Sequence, residues 1–304
     1  MTMEQQIIVT RDYDFAAMQT AVFALRTSFP TLRLNTIGQS VLGREIYCLS
    51  LGNEDRPAVL YTAAFHGTEH ITSPLLLRFV ERLCRAWENR APLSQMNVGL
   101  ILKEHHLLFV PRVNPDGCEI ALHGAQGALE MGDRLSRLCG RDFSRWNANA
   151  NGVDINHNFD AGWERLRQME RAAGIFGPGA RQYGGPAPES EPETKALTRL
   201  CRERCVSHVL AFHSQGEEIY WRYGSRTPRR SKKMAEIFSA SSGYAQEAPI
   251  GLASHGGFKD WFIQEMGRPG FTFEVGKGTN PLPCDQLDSI YERLEESLLL
   301  AAVM

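Results

Sequence analysis

The chain has 304 residues, 33 Lys+Arg against 35 Asp+Glu, with 43% hydrophobic and 22% charged residues, a balance that excludes intrinsic disorder. A net charge of -2 and a pI near 6.5 argue against a large basic face for nucleic acid or an anionic membrane. No stretch approaches the roughly 18 consecutive apolar residues of a membrane-spanning helix.

The first residues, Met1-Thr-Met-Glu-Gln-Gln, carry an early acid and no basic flank before an apolar core. No signal peptide is therefore expected, and the expected location is the cytoplasm. The seven cysteines are scattered and form no CxxC pair, which points to reduced, buried thiols; Cys201 and Cys205 are expected to share a helix face. No repeat or Pro/Ser linker divides the chain, so residues 1–304 are expected to form a single domain.

In chain order, apolar Phe15, Met18, Val22 and Leu25 predict a helix over Phe15–Phe29. Two short strands, Leu34–Ile37 and Ile46–Leu51, form an early hairpin. Ala58–Phe65 is a nearly unbroken apolar run of strand length, as expected for a strand covered on both faces. A helix follows from Ser73 to about Trp87, with Pro74 in its first turn. Leu107–Val113 is a strand closed by a turn at Asn114-Pro-Asp-Gly117. The polar stretch His123–Gly152 is too long for a simple connector and is a candidate site loop. A helix from Glu191 to about Arg204 leads into a buried strand, Val206–Phe212. Met234–Ser241 is helical, Phe271–Val275 is a core strand and Cys284–Val303 is an amphipathic helix. Alternation of strands and helices predicts a layered α/β domain with a parallel or mixed sheet.

Ligands of such sheets gather at the carboxyl ends of the strands. The strand Ala58–Phe65 runs into His66-Gly-Thr-Glu69, and Val206–Phe212 runs into His213-Ser-Gln-Gly216. Two histidines and a carboxylate match the ligand set of a catalytic zinc that keeps one position for water. His70 is a rival partner for His66. Glu274, preceded by Phe271-Thr-Phe273, is an acid inside an apolar strand, expensive to bury unless it is paired or works as a base.

His66-x-x-Glu69, Asn114-Pro-Asp-Gly117, Gly152-Val-Asp-Ile-Asn156-x-Asn158-Phe, His213-Ser and Phe271-Thr-Phe-Glu274 occur in an order and spacing that resembles the zinc carboxypeptidase family. The resemblance covers the chain from about Asp12 to its end. It implies a three-layer α/β/α fold with a mixed sheet of about eight strands and one Zn2+ per chain. His66, Glu69 and His213 would bind the metal and Glu274 would be the general base. A narrower resemblance rests on Ala211–Trp221, Lys259-Asp-Trp-Phe-Ile-Gln-Glu265 and Val275–Pro283. These stretches look like the bacterial branch of γ-D-glutamyl-L-diamino acid endopeptidases, which implies cleavage of the bond between γ-D-glutamate and meso-diaminopimelate or lysine in peptidoglycan stem peptides. Its partner would be such a peptide, with no nucleic acid and no membrane. The alternatives are a carboxypeptidase or amidase acting on other acylated peptides, and a catalytically silent protein that binds wall peptides.

The chain departs from the family at several points. Where family exopeptidases have Asn-Arg-Asn, it has Asn156-His157-Asn158, and a histidine cannot copy the bidentate grip of an arginine. Asn156 and His157 are still expected to hold a substrate carboxylate. The family's basic residue after tryptophan is Asn147 here, so the cation that assists zinc falls to Arg145, with Arg141 a further option, or is replaced by a hydrogen bond from Asn147. The family's substrate-closing tyrosine is not evident in Ile250–Gly257, where His255 is the nearest group able to donate or shuttle a proton. Lys259 occupies the position that sets preference for the residue after the cut bond and is expected to favour a carboxylate. Gln215, Glu217 and Glu218 are candidates to contact amine or amide groups of the peptide.

Overall fold

A computed structural model describes residues 6–304. Its main sheet contains β1 (Arg33–Gln39), β2 (Glu45–Gly52), β3 (Ala58–Ala63), β4 (His106–Val110), β5 (Val206–His213), β6 (Glu218–Tyr220), β7 (Ala245–Glu247) and β8 (Gly270–Glu274). Their spatial order is β1-β2-β4-β3-β5-β8-β6-β7. The sheet is mixed: β2 is antiparallel to both neighbours, β4, β3, β5 and β8 are mutually parallel, and β6 returns antiparallel to β8. The helices are α1 (Phe15–Ser28), α2 (Thr72–Glu88), α3 (Val98–Glu104), α4 (Pro115–His123), α5 (Gly132–Leu138), α6 (Trp163–Ala172), α7 (Pro192–Glu203), α8 (Arg229–Ser242), α9 (Phe258–Met266) and α10 (Leu287–Ala302).

Every residue of β3 is buried, as the apolar run requires. Side chains alternate between two cores because successive strand residues point to opposite faces. Val59, Tyr61 and Ala63 pack in one core with residues of α1, α2, α8 and α10. Ala58 and Leu60 pack in the other with residues of α7 and α9. These are the three layers expected from the resemblance. The alternation continues in β8: Phe271 and Phe273 join the first core, which leaves Thr272 and Glu274 on the opposite face. Each Phe buried this way contributes roughly 1.5–3 kcal/mol and fixes the register of the acid that follows. Among the described residues, no helix is long and apolar enough to cross a membrane.

Three local expectations need correction. Asn114-Pro-Asp-Gly117 opens α4 and is not a free turn: Asn114 Oδ1 accepts from Gly117 N at 2.8 Å and Pro115 takes the first helical position. The stretch His123–Gly152 is partly ordered as helix, since α5 lies within it; at seven residues that helix is too short to announce itself by periodicity. Cys201 is buried in α7, but the helix ends at Glu203, so exposed Cys205 lies beyond it and the two share no helix face. All seven cysteines are free.

Candidate active site

The carboxyl ends of β3, β5 and β8 lie side by side, and Glu274 is the register partner of His213 across the parallel β5–β8 pair. His66 follows β3 by way of Ala64, whose φ is 54° and whose N–H donates to Thr72 Oγ1 at 2.9 Å. The chain then makes a 3₁₀ turn over Gly67–Glu69, closed by Glu69 N–H donating to His66 O at 3.1 Å. Gly67 is required here because a Cβ would collide with the carbonyl oxygens of Gly117 and Trp146. This turn swings Glu69 back beside His66.

Nδ1 of His66 lies 2.9 Å from Glu69 Oε1, Nδ1 of His213 lies 2.9 Å from Glu69 Oε2, and the two Nδ1 atoms are 3.3 Å apart. A tetrahedral ion with ligands at about 2.0–2.1 Å would space its donors at roughly 3.3 Å, which the two Nδ1 atoms match, and the donor set is that of a catalytic zinc. Among the described residues, these three form the group of His, Cys, Asp and Glu whose ligand atoms converge, all within 4.8 Å. The rival, His70, does not join it: it sits 3.9 Å from Asp12, and burial pushes its imidazole down to about 4.

Asp154, of the Gly152-Val-Asp-Ile-Asn156 stretch, supports His66 from behind. Its Oδ1 is 3.1 Å from His66 Nε2, while Oδ2 accepts from Gln182 N–H at 2.9 Å. Burial opposes charge on His66, but Glu69 and Asp154 outweigh it and hold the imidazole well above its usual range. Burial also opposes charge on Glu69, and the two histidines hold its carboxylate low. Burial pushes the Glu274 carboxyl up, and Glu69 and Glu218 add like charge.

These groups open into a cavity of about 450 Å³ that is also lined by Asn147, Asn156, His157, Gln215 and Lys259. Asn156 Oδ1 accepts from Phe258 N–H at 3.0 Å, which leaves its amide N–H groups for a ligand. His157 is buried and tied from behind by Glu170 Oε1 at 3.3 Å and Gln182 O at 3.2 Å; burial lowers its pKa. Lys259 reaches the cavity wall, but its ammonium is committed to buried Asp260 and to Arg222 O, and so is not the free cation expected. Glu217 is paired with Lys277 and Arg293. Glu218 accepts from Tyr220 OH at 2.6 Å.

Arg145 and His255 are not among the residues lining the cavity, and neither are Arg141, Glu217 and Glu218. Arg145 is exposed outside it, whereas Asn147 lines it and accepts from Thr68 Oγ1 at 2.6 Å. His255 pairs instead with Ser254 Oγ and the edge of Tyr223. The sequence reading missed Arg181, an exposed residue of the Gly/Pro-rich stretch after α6 that lines the same cavity.

The sequence model of the zinc carboxypeptidase family matches residues 18–297. γ-D-Glutamyl-L-diamino acid endopeptidase 1 of Lysinibacillus sphaericus is 40% identical over 285 residues, covering 93% of this chain and 70% of that protein. Carboxypeptidase A of Helicoverpa armigera superposes with a TM-score of 0.74 at 18% identity, over 98% of this chain and 74% of that one. Murein-tripeptide amidase MpaA of Escherichia coli O157 superposes with a TM-score of 0.53 at 21% identity, over 92% and 93%. Both structures share the fold.

Proposed function

This chain belongs to the zinc carboxypeptidase family and is a zinc metallopeptidase; on that premise we propose that it hydrolyses the γ-D-glutamyl–diamino acid bond of peptidoglycan-derived peptides. The observation that carries the substrate is the 40% identity to an endopeptidase of that specificity over nearly the whole chain. The observation that supports the chemistry is the convergence of His66, Glu69 and His213 beside Glu274 in one cavity.

His66, Glu69 and His213 would hold the zinc. When bound, the metal would polarise the scissile carbonyl as a Lewis acid and bring the pKa of its water down to about 7. Asp154 fixes the ring of His66 so that Nδ1 faces the metal position. Glu274, partly buried at the strand end, accepts the proton of the attacking water and returns it to the leaving amine. Asn156 orients the peptide through its free amide donors.

The test is release of diaminopimelate from L-Ala-γ-D-Glu-meso-diaminopimelate by zinc-loaded protein, with a chelated sample as control. Zinc-dependent release at the γ-bond is the expected result. Release only from α-linked acyl peptides would overturn the substrate and keep the chemistry.

A further inference from the structure

The cationic side chains lining the cavity, among the described residues, are Arg181 and Lys259 besides the histidines. Lys259 is neutralised in place by Asp260. His66 and His213 face Glu69, and His157 is tied to Glu170 and a carbonyl. Arg181 has no side-chain hydrogen bond or ion pair among the described residues and is exposed at the rim. An unpaired guanidinium on the cavity lining is open to a ligand anion.

Its backbone is anchored on both sides. Ala180 O accepts from Asn147 N–H at 2.8 Å and Ala148 N–H at 2.9 Å, and Gln182 N–H donates to Asp154 Oδ2 at 2.9 Å. Gln182 itself is held at a φ of 67°, a left-handed conformation uncommon for a residue with a side chain. The rim segment is thus tied to the same carboxylate that orients His66, and the charge of Arg181 opposes protonation of His157.

We propose that Arg181 is the specificity-determining residue of this site, holding a substrate carboxylate that flanks the cut bond, with the amide of Asn156 beside it. This rests on the reading that a peptide occupies the cavity. Guanidinium matches carboxylate in a two-point, planar contact. Two of the three carboxylates of the proposed substrate flank the cut bond, the free α-carboxylate of D-glutamate and the adjacent α-carboxylate of the diamino acid; the third lies at the far end of the diaminopimelate side chain.

The test is binding of L-Ala-γ-D-Glu-meso-diaminopimelate, measured by calorimetry on zinc-loaded Glu274→Gln protein so that no turnover intervenes. Two further peptides carry an amide in place of one or the other α-carboxylate, and all three are measured with Arg181 and with Arg181→Gln. A charge-assisted contact predicts that one amidation weakens binding about 10-fold or more when Arg181 is present and about 2-fold or less in Arg181→Gln. The amidation that shows this identifies the carboxylate, and Arg181→Lys should recover part of the difference. If both amidations cost the same factor in both proteins, Arg181 touches neither carboxylate that flanks the cut bond and the proposal is overturned. If the tripeptide neither binds nor is cleaved, the substrate reading fails by itself. The same cycle on an N-acyl dipeptide with a free or amidated C-terminus then decides the role of Arg181, and binding that is absent or indifferent to the carboxylate overturns it.

Discussion

His66 Nε2 stands 3.1 Å from Asp154 Oδ1, on the side of the ring opposite the Nδ1 that faces Glu69 and His213. The carboxylate accepts a hydrogen bond from Nε2–H and so holds the ring with Nδ1 turned toward the metal position. Asp154→Asn should lower zinc affinity by about 10- to 100-fold with little change in the far-ultraviolet spectrum. Competition against a chromophoric chelator measures this, and unchanged affinity would remove Asp154 from the metal's support.

Glu274→Gln should keep its zinc, because Glu274 is not one of the converging ligands. Hydrolysis should fall by about 10²–10⁴-fold, the usual span for loss of a general base. Metal content and single-turnover rate on the same sample separate the two effects. Loss of zinc along with rate would mean that the carboxylate is a ligand.

Much of this site was legible because its residues terminate long apolar runs. His66, His213 and Glu274 each sit where a strand covered on both faces meets polar sequence, and that boundary is written in the hydrophobic pattern. What was not legible depends on backbone pairing between distant segments. Arg181 reaches the cavity because Ala180 bonds to Asn147 and Ala148 far earlier in the chain, and nothing in its own Gly/Pro-rich neighbourhood announces that. Lys259 misled for a related reason: its charge is visible, but its burial against Asp260 is not. The Asn-Pro-Asp-Gly stretch was ambiguous in itself, since the residues that begin a turn also cap a helix.

Gly67→Ala should damage the metal site without touching a ligand. The added Cβ meets two backbone carbonyls, neither of which has a flexible side chain to swing away. The 3₁₀ turn must shift, and Glu69 shifts with it relative to His66. A cost of about 1–3 kcal/mol in urea unfolding is expected, as for other overpacked sites. Zinc affinity should drop at the same time, and a variant with normal affinity would show that the turn relaxes elsewhere.

Glu193 links stability to alkaline pH. Fully buried, it accepts from Asn149 Nδ2 at 3.0 Å and Val41 N–H at 3.2 Å, and burial pushes its carboxyl from 4.5 up to about 8. A carboxyl whose folded pKa is raised holds its proton more tightly when folded. The resulting stabilisation is complete below 4.5, shrinks as pH rises through the window, and is gone above about 8. Relative to Glu193→Gln, the wild-type chain should lose about 1.4 kcal/mol per pH unit across that window. Paired urea titrations at several pH values measure the difference, and parallel profiles would show that Glu193 is ionised throughout.

The sheet order has a kinetic consequence. His66 and His213 are 147 positions apart in the chain and meet only because β3 and β5 are neighbours in register. An unfolded or half-folded chain therefore offers a metal at most the local His66–Glu69 pair, and the complete set of donors exists only after the longest-range pairing of the core has formed. Zinc bound there acts as a latch that closes last and must open first. Chelation should speed unfolding and leave the refolding rate nearly unchanged, as for any stabilising contact that is absent from the folding transition state.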